Sequence, residues 1–593
     1  MGEKIKEYFS KNQNVVGFLS LLLFCYLLLF LRLGFYPLVD VDETRYVGIS
    51  ANLLNQGDWI TMILNGAPFL EKPPLYFWLN ALFFNFCGDV NPLSARFMTA
   101  FLAMFSVIFT YFFARKTLGS NYALIASFIL LSNLWFLLFS HIAILDMGFM
   151  VFTMSAIYSA VLSQFCTKSY NGKYCWYFGW LFMGLAVLMK GIIGFIIPAM
   201  VVFLYFLSIK KVKELFKPVN FFPGLLIFLF AVTPWHYSIF TEYDMRWIEE
   251  YIIKHHFSRF LDSAGLGRKQ PFLFYIPIIF AGFIPWTFNM ISAFVNGCKA
   301  LIREVKSSKT FATIFSADTN DRKILLFASI YFLSVFLFFS VSSTKLPSYI
   351  LTLFPALALL TAYYWWGYIV YNKYEKGIKI STVIGSIFFI IVGIVGYILV
   401  NFITPAGISR EIALAQSFSS QLIGWVMIIP LISILCLSNK NRALLFITKL
   451  VFMFGVIMIA TTYIFGYMMQ FGQRELEEYA QDASLVYDSK LVTFDFANKY
   501  SVMNTFGRNI EFLPDIDFES LDKIVQNAKE QKVPVFIIIK NKNYNSYSDK
   551  FADWQLVKVG EKYSLFAKFF REKDKMLYPQ INKYKKMDKL PVF

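Results

Sequence analysis

Runs of about twenty apolar residues recur along this chain, and they limit its fold more than any other feature. A helix needs about twenty such residues to cross the ~30 Å hydrocarbon core of a bilayer. The chain is 57% hydrophobic and only 16% charged, with a mean hydropathy of +0.55, unlike an ordinary soluble domain. We therefore predict a polytopic α-helical membrane protein. Thirteen windows qualify as spans: 13–33, 96–114, 121–140, 147–166, 174–189, 191–209, 219–240, 272–296, 323–341, 346–368, 379–402, 418–437 and 444–468.

Lysines and arginines concentrate in alternate connections between these spans, as expected for short cytoplasmic loops. The series begins with Lys4, Lys6 and Lys11, Arg115 and Lys116, Lys168 and Lys173, and Lys210, Lys211, Lys213 and Lys217. This pattern predicts a cytoplasmic amino terminus and, with thirteen spans, an external carboxyl terminus. It also accounts for most of the net charge of +17, so we expect no nucleic-acid partner.

Two segments on the external side are predicted to contain helices lying in the membrane interface. In 34–95, the stretch "RYVGISANLLNQGDW" places apolar residues on one helical face, with Gly57 positioned to end the helix. In 241–271, aromatic residues alternate with histidines and Arg259.

The composition becomes that of a soluble domain after residue 470. "LVTFDF" and "VPVFIIIK" predict buried strands, "SLDKIVQNAKEQ" predicts a helix, and "WQLVKVG" with "YSLFAKFF" predicts closing strands. We therefore predict a transmembrane domain over 1–469 and a small mixed α/β domain outside the membrane over 470–593.

Charged residues cluster at the external rim of the predicted bundle. "VDVDETRY" holds Asp40, Asp42, Glu43 and Arg45 just after the first span. Alone, such residues would be solvated groups flanking a helix end. The same external segment, however, also contains "EKPP", in which two prolines fix the backbone beside Glu71 and Lys72.

Further ionisable residues lie at the external ends of other spans. They are His141 and Asp146 of "HIAILDMGF", Lys190 of "LMKG", His255, His256 and Arg259 of "KHHFSRF", and Lys345 and Tyr349 of "SSTKLPSYIL". Carboxylates within or at the rim of a membrane are costly and are functional by default. The cations call for an anionic ligand. A phosphate carried by a lipid fits best, because arginine and lysine suit phosphate oxygens while the neighbouring aromatic residues accept an acyl or isoprenyl chain.

Taken in order, these motifs resemble those of the bacterial aminoarabinose transferases that modify lipid A. That family lies within the superfamily of polyprenyl-phosphate-sugar-dependent membrane glycosyltransferases that includes the protein O-mannosyltransferases. The resemblance implies transfer of a sugar from undecaprenyl phosphate to a lipid A phosphate. It also implies a site and a carboxyl-terminal domain on the periplasmic side of the bacterial inner membrane, among membrane lipids.

The resemblance also implies roles for individual residues. Asp42, Glu71 and Asp146 are the expected catalytic carboxylates. The expected donor-phosphate ligands are Arg45, Lys72, Lys190, Arg259, Lys345 and Tyr349, of which Arg45 and Lys345 follow from the charge pattern and the others from the resemblance. A divalent metal such as zinc is implied at Glu71 and His256, although His255 replaces the glutamate that usually precedes His256. A second departure is Thr44, where relatives often show proline.

Alternative functions are left open by these residues. No residue selects the sugar, so a hexosamine or mannose could be moved instead, to lipid A or to another envelope or protein acceptor. A hydroxyl acceptor would require Asp42 to act as a general base, whereas an anionic phosphate would not. A single displacement predicts inversion at the anomeric carbon. A transporter of lipid-linked sugars is the rival from another class, but the sequence shows no inverted repeat.

Overall fold

The structure, a computed structural model, divides the chain into two compact units. They are Met1–Gly34 with Leu70–Tyr463, and Phe35–Phe69 with Ile464–Phe593. The residues that the structure describes are 13–166, 169–258, 270–307, 319–398, 418, 421, 423–439, 441–468, 473–496 and 498–578. The predicted boundary at 469/470 stays a prediction, but the second unit takes in 35–69 as well as the carboxyl-terminal residues.

Helices dominate the first unit, and they are numbered here in chain order together with those of the second. The helices up to residue 341 are α1 (Gln13–Cys25), α2 (Asp42–Gln56), α3 (Leu75–Cys87), α4 (Pro92–Leu118), α5 (Ser120–Leu131), α6 (Leu134–Ser140), α7 (Leu145–Leu162), α8 (Ser169–Lys190), α9 (Ile193–Ser208), α10 (Pro218–Trp247), α11 (Tyr275–Gly282), α12 (Thr287–Ser307) and α13 (Asn320–Val341). The later helices are α14 (Phe354–Tyr371), α15 (Glu375–Ile398), α16 (Ile429–Leu435), α17 (Arg442–Ile459), α18 (Gln473–Ser484), α19 (Tyr500–Phe506), α20 (Phe518–Glu530), α21 (Asn541–Tyr544) and α22 (Glu572–Lys575).

Several of these helices are long and apolar enough to cross a bilayer. Within the described residues there are seven, or up to nine if two bent pairs each count as one span. The bent pairs are α5 with α6, at 64°, and Phe272–Gly282 with Thr287–Ala300, at 118°. The prediction of a multi-pass helical membrane protein is confirmed, whereas the count of thirteen spans stays a prediction.

The helix α7 lies at the centre of the first unit. In its apolar window 89% of the residues are buried, and it packs against α4, α8 and α9. The next helix, α8, packs along it and ends at Lys190, as "LMKG" predicted. Gly191 then turns the chain with φ of 89°, a conformation that costs little without a Cβ atom. The chain therefore returns at once as α9, and the end of α8 lies beside the start of α7.

The helix α10 continues beyond its predicted end at residue 240. Helical structure runs on to Ser258, with a kink at Asp244, whose φ is 46°. The predicted separate interfacial helix over 241–271 therefore begins as a continuation of α10 after this kink. Residues 259–269 of that segment lie outside the described residues.

The second unit contains a mixed five-stranded sheet. Its strands are β3 (Lys490–Phe494), β4 (Glu511–Leu513), β5 (Val535–Lys540), β6 (Gln555–Val559) and β7 (Tyr563–Lys568), in the order β4-β3-β5-β7-β6. β3 pairs in parallel with β4 and β5, whereas β7 pairs antiparallel with β5 and β6. The four predicted strands and the helix α20 are confirmed, and β4, α18 and α19 were not predicted.

Both faces of this sheet are covered, which explains the continuous apolar run of β5. Phe536 and Ile538 pack in a cluster with residues of α18 and α19, while Ile537 and Ile539 pack in a cluster with residues of α20. Alternate side chains of a strand point to opposite faces, so a strand buried on both sides has no polar alternation. The apolar run is therefore the signature of a central strand.

Residues 35–69 form a helix and a hairpin within the second unit. The helix α2 ends at Gly57, as predicted, where φ is 72° and the amide donates to the Leu53 carbonyl. A two-residue Asn65-Gly66 turn joins β1 (Ile63–Leu64) to β2 (Ala67–Pro68). Asn-Gly between apolar residues is a strong hairpin signal, because both turn residues need positive φ.

Candidate active site

A buried ion pair lies where α7 begins and α8 ends. Lys190 Nζ is 2.5 Å from Asp146 Oδ1, and the two side chains are only 9% and 13% exposed. Asp146 lies in the first turn of α7 and Lys190 in the last turn of α8. Both charges therefore interact favourably with the dipoles of their own helices. The structure brings together two predicted site residues that are 44 positions apart.

Aromatic rings surround the Lys190 ammonium group. Its Nζ atom lies 4.7 Å from the centroid of the Tyr349 ring and 5.1 Å from that of Phe149. Tyr349 belongs to the 3-10 turn Pro347–Leu353, which packs against α7. Ring faces attract cations, so these contacts hold the ammonium group without neutralising it. Phe149 was missed, although its spacing three residues after Asp146 places both on one face of α7.

Lys345 lies just before this 3-10 turn and is bonded to the backbone. Its Nζ atom donates to the carbonyl oxygens of Ser342, at 2.6 Å, and Gln270, at 3.0 Å, and its side chain is buried. Carbonyl oxygens leave the positive charge intact, so an anion can still be attracted. Its predicted role as a phosphate ligand stays a prediction.

Glu71 and Lys72 lie just before Pro73 and Pro74, which lead into α3. Lys72 Nζ donates to the Glu71 carbonyl at 3.2 Å, and Pro74 occupies the N-cap position of α3. The Glu71 carboxylate lies 3.9 Å from Nδ1 of His255, whose Nε2 lies 4.0 Å from Glu250. The residue that departs from the family pattern, His255, is therefore a direct neighbour of Glu71.

The predicted metal ligands are only partly described. The side chain of His256 and the whole of Arg259 lie outside the described residues. Among the side chains that are described, no group of three His, Cys, Asp or Glu residues could hold a metal ion. The metal at Glu71 and His256 and the phosphate contact of Arg259 stay predictions.

An apolar cavity of about 310 Å³ lies against the same helix that carries Lys190. Its walls are formed by Val187, Ile192, Phe195, Phe228, His236, Trp247, Tyr251 and Ile252. Val187 is one turn before Lys190 on α8, so the helix that presents the ammonium group also lines the cavity. The volume is at the lower end of the range for ligand pockets, and the lining suits hydrocarbon. Sequence reasoning missed His236, which lies inside an apolar run.

The acidic motif "VDVDETRY" belongs to the second unit. Arg45 forms an ion pair with Asp42 at 2.6 Å, and its guanidinium lies 5.0 Å from the Tyr46 ring centroid. The Asp42 side chain is 65% exposed, whereas Glu43 is buried and accepts a hydrogen bond from the Val39 amide. Asp42 is thus available to a ligand, and Glu43 is a structural residue.

The predicted site residues therefore fall into the two units. Asp42 and Arg45 belong to the second, and the other described site residues, namely Glu71, Lys72, Asp146, Lys190, Lys345 and Tyr349, belong to the first. The structure joins Asp146, Lys190 and Tyr349 directly. The convergence of all these residues on one ligand stays a prediction.

The pKa of Glu477 on α18 is raised, mainly because burial disfavours its charged form. The nearby Asp40 carboxylate adds to the rise, and a hydrogen bond from Gln473 opposes it. Glu477 therefore contributes full stability below its ordinary pKa and loses that contribution as pH rises through the raised value.

We expect Glu477→Gln to be more stable than wild type at pH values above the raised pKa of Glu477. Thermal unfolding midpoints from about pH 4 to about pH 8 measure this. The control is Glu530→Gln, at the exposed end of α20, and an identical pH dependence for wild type and E477Q would contradict the prediction.

Comparison with known proteins agrees with the fold. Residues 14–249 match the family model of the dolichyl-phosphate-mannose-protein mannosyltransferases. The chain is 29% identical over 346 residues to an uncharacterized protein of Aquifex aeolicus, covering 58% of this chain and 63% of that protein. It is also 29% identical over 329 residues to the undecaprenyl phosphate-alpha-4-amino-4-deoxy-L-arabinose arabinosyl transferase of Pectobacterium carotovorum, covering 54% of each. The matched stretches thus span 54% to 63% of these relatives.

Solved structures extend the likeness over nearly the whole chain. ArnT from Cupriavidus metallidurans bound to undecaprenyl phosphate aligns with a TM-score of 0.73 and 17% identity, covering 93% of this chain and 97% of that one. Its apo state aligns with a TM-score of 0.72 and 18% identity, covering 94% and 98%. At such identities the likeness establishes the fold.

The fold and the family match define the class: a multi-pass membrane protein similar to the glycosyltransferases that use lipid-linked sugars. Within that class, the resemblance to the aminoarabinose transferases predicted from the sequence motifs is confirmed.

Proposed function

We propose that this protein moves 4-amino-4-deoxy-L-arabinose from undecaprenyl phosphate to a phosphate group of lipid A. The reaction takes place at the periplasmic face of the bacterial inner membrane, and the second unit faces the same compartment. The family match and the named relatives support a polyprenyl-phosphate sugar as the donor. Lipid A as acceptor is suggested by the resemblance.

The observation that carries the proposal is the Lys190 site. Its ammonium group is buried, held by Asp146 and ringed by Tyr349 and Phe149. The helix that carries it also lines an apolar cavity through Val187. A lipid-linked phosphate requires both features, a fixed cation for the phosphate and a hydrocarbon surface for the isoprenoid chain. Buried cations in membrane segments are otherwise rare, since they are costly.

The proposed reaction is one displacement at the anomeric carbon. A phosphate oxygen of lipid A forms a bond to that carbon while its bond to the donor phosphate oxygen breaks. The electron pair of the broken bond stays on undecaprenyl phosphate, which gains one negative charge, and the configuration at the carbon inverts. Lys190, together with the predicted ligands Lys72, Arg259 and Lys345, stabilises that developing charge. Fixed charges of this kind usually lower the barrier more than any other feature of an active site.

Asp42 is the proposed catalytic carboxylate of the second unit. The lipid A phosphate is already anionic at neutral pH, so no strong base is needed to activate it. Asp42 then orients the acceptor or stabilises positive charge on the sugar ring. An exposed carboxylate in the first turn of α2 is accessible to substrate and suits either role. A divalent metal such as zinc at Glu71 and His256 stays a proposal, and no step depends on it.

The proposal is tested by mass spectrometry of lipid A from cells with and without this protein. We expect a mass increment of one aminoarabinose on a lipid A phosphate, present only with the protein. Purified protein should produce the same species from undecaprenyl-phosphate aminoarabinose and lipid A in detergent. A different mass increment would indicate another sugar. If lipid A stays unmodified and proteoliposomes containing the protein move lipid-linked sugar from one face of the membrane to the other, the protein is a transporter. That outcome would contradict the proposed enzyme activity.

A further inference from the structure

The two aspartates of "VDVDETRY" have different surroundings within the second unit. Asp42 is mostly exposed, whereas the Asp40 carboxylate accepts three hydrogen bonds. Oδ1 of Asp40 accepts from the Ser501 amide at 2.9 Å and from Thr44 Oγ1 at 2.5 Å. Oδ2 accepts from the Ser501 hydroxyl. Asp40 is therefore tied both to the start of α2 and to α19 of the same unit.

A second tie runs from the same segment to α18. Gln473, the first residue of α18, accepts from the Asp40 amide at 3.0 Å and donates to the Leu38 carbonyl at 2.5 Å. Gln473 and Ser501 are 4% and 2% exposed. Hydrogen bonds of buried groups to a carboxylate are among the stronger ones in proteins, and such a network fixes one geometry.

The first turn of α2 has no side-chain cap of its own. Its N-cap residue, Val41, makes no side-chain capping bond. Besides the Val39 amide bond to Glu43 and the pair of Asp42 with Arg45, this turn is held by Asp40 through Thr44 and by Asn504 of α19, which donates to the Thr44 carbonyl at 2.9 Å. Gly48 permits the close approach, because a Cβ atom there would lie 2.8 Å from Asn504 Oδ1. Asp42 is the first residue of this turn, so the direction of its carboxylate depends on these backbone contacts as well as on its pair with Arg45.

We propose that Ser501 and Gln473 are positioning residues that act through Asp40 to hold the Asp42 carboxylate in its productive direction. The inference rests on the proposed function and adds a role for the carboxyl-terminal domain in the transfer. Asp40 is then a structural aspartate, and Asp42 alone of the two meets the substrate. A shift of about 1 Å in a reacting group can lower a rate by about 10²-fold, so loosening this network should be visible in kcat.

The test uses purified full-length protein with Ser501→Ala, which removes the hydroxyl but keeps the amide. We expect kcat to fall by about 10-fold to 10²-fold, while the KM for undecaprenyl-phosphate aminoarabinose stays within about twofold of wild type. Thr44→Val keeps the side-chain shape and removes the other hydroxyl that donates to Asp40. It should also lower kcat while leaving KM close to the wild-type value. It serves as the second variant in case Ser501→Ala folds poorly.

The matched control is Asn65→Ala. Asn65 exchanges two hydrogen bonds with the Ile510 backbone in the same unit, so this variant loses comparable stability without touching residues 38–45. It should keep the wild-type kcat. An unchanged kcat in Ser501→Ala, or an equal fall in Asn65→Ala, would overturn the positioning role while leaving the proposed function intact.

Hydrogen exchange separates the inference from the proposed function. Amides of residues 41–46 should exchange faster in Ser501→Ala than in wild type or Asn65→Ala, whether or not sugar is transferred. Equal exchange in all three proteins would refute the positioning role directly. Wild-type protein that transfers no sugar to lipid A would refute the proposed function, with the exchange data still deciding whether Ser501 orders this turn.

Discussion

Asp42→Asn is expected to lower sugar transfer to lipid A by about 10²-fold to 10⁴-fold, the range for loss of a catalytic carboxylate or of a charge that stabilises the transition state. The protein should remain folded and inserted. The side chain is 65% exposed, and its pair with Arg45 is of a kind that contributes about 0–1 kcal/mol. Steady-state transfer rates and thermal unfolding midpoints, measured on the same purified samples, check both parts.

Asp549→Asn is the matched control for this variant. Asp549 is another exposed aspartate of the second unit, within the 3-10 turn Ser548–Phe551, and its replacement should leave transfer unchanged. Wild-type amounts of modified lipid A in cells that carry Asp42→Asn would remove Asp42 from the catalytic role.

Lys190→Met is expected to lower transfer by about 10²-fold to 10³-fold, because the departing phosphate loses a fixed positive charge. The substitution also leaves Asp146 buried without its cation, which costs about 3–5 kcal/mol of stability. The double variant Asp146→Asn with Lys190→Met removes both charges and should recover much of that stability. It should remain as inactive as the single variant, so the two effects are separated by unfolding midpoints and transfer rates.

Lys449→Met provides the control for burial. Lys449 is another buried lysine of the first unit, on α17, with its ammonium 5.8 Å from the Trp286 ring centroid. Its replacement should leave transfer near the wild-type rate. Transfer by the double variant at the wild-type rate would contradict the role of Lys190 as a phosphate ligand.

Much of the fold followed from local patterns. Each predicted membrane window contains helical structure, with a sharp bend inside 121–140 and inside 272–296, and the turn at Gly191 and the end of α2 at Gly57 lie where the sequence placed them. The apolar run of β5 marked a strand buried on both faces. The kink at Asp244 was not predicted, because no proline or glycine marks it. The strand β4 was missed because three residues give too short a pattern.

The candidate site was predicted as a set of residues but not as a geometry. Asp146 and Lys190 were both chosen, yet their pairing depends on the antiparallel packing of α7 and α8. Lys345 was predicted as a donor-phosphate ligand, and the structure shows its ammonium group bonded to two carbonyl oxygens. Neither the ion pair nor the hydrogen bonds of Lys345 can be predicted from the spacing of residues along the chain.

The sequence by itself determined which segments can cross a membrane, where the soluble domain begins in composition, and which ionisable residues need a functional explanation. These properties depend on hydrophobicity and charge over short windows, because the transfer of a residue from water to hydrocarbon is largely a local quantity. The tertiary structure decided which charges meet. Asp40 and Asp42 are two residues apart, and the local sequence does not distinguish them. Ser501, 461 positions from Asp40, nevertheless donates hydrogen bonds to Asp40, whereas Asp42 is left exposed. Such a choice depends on packing between distant segments, which no local pattern encodes.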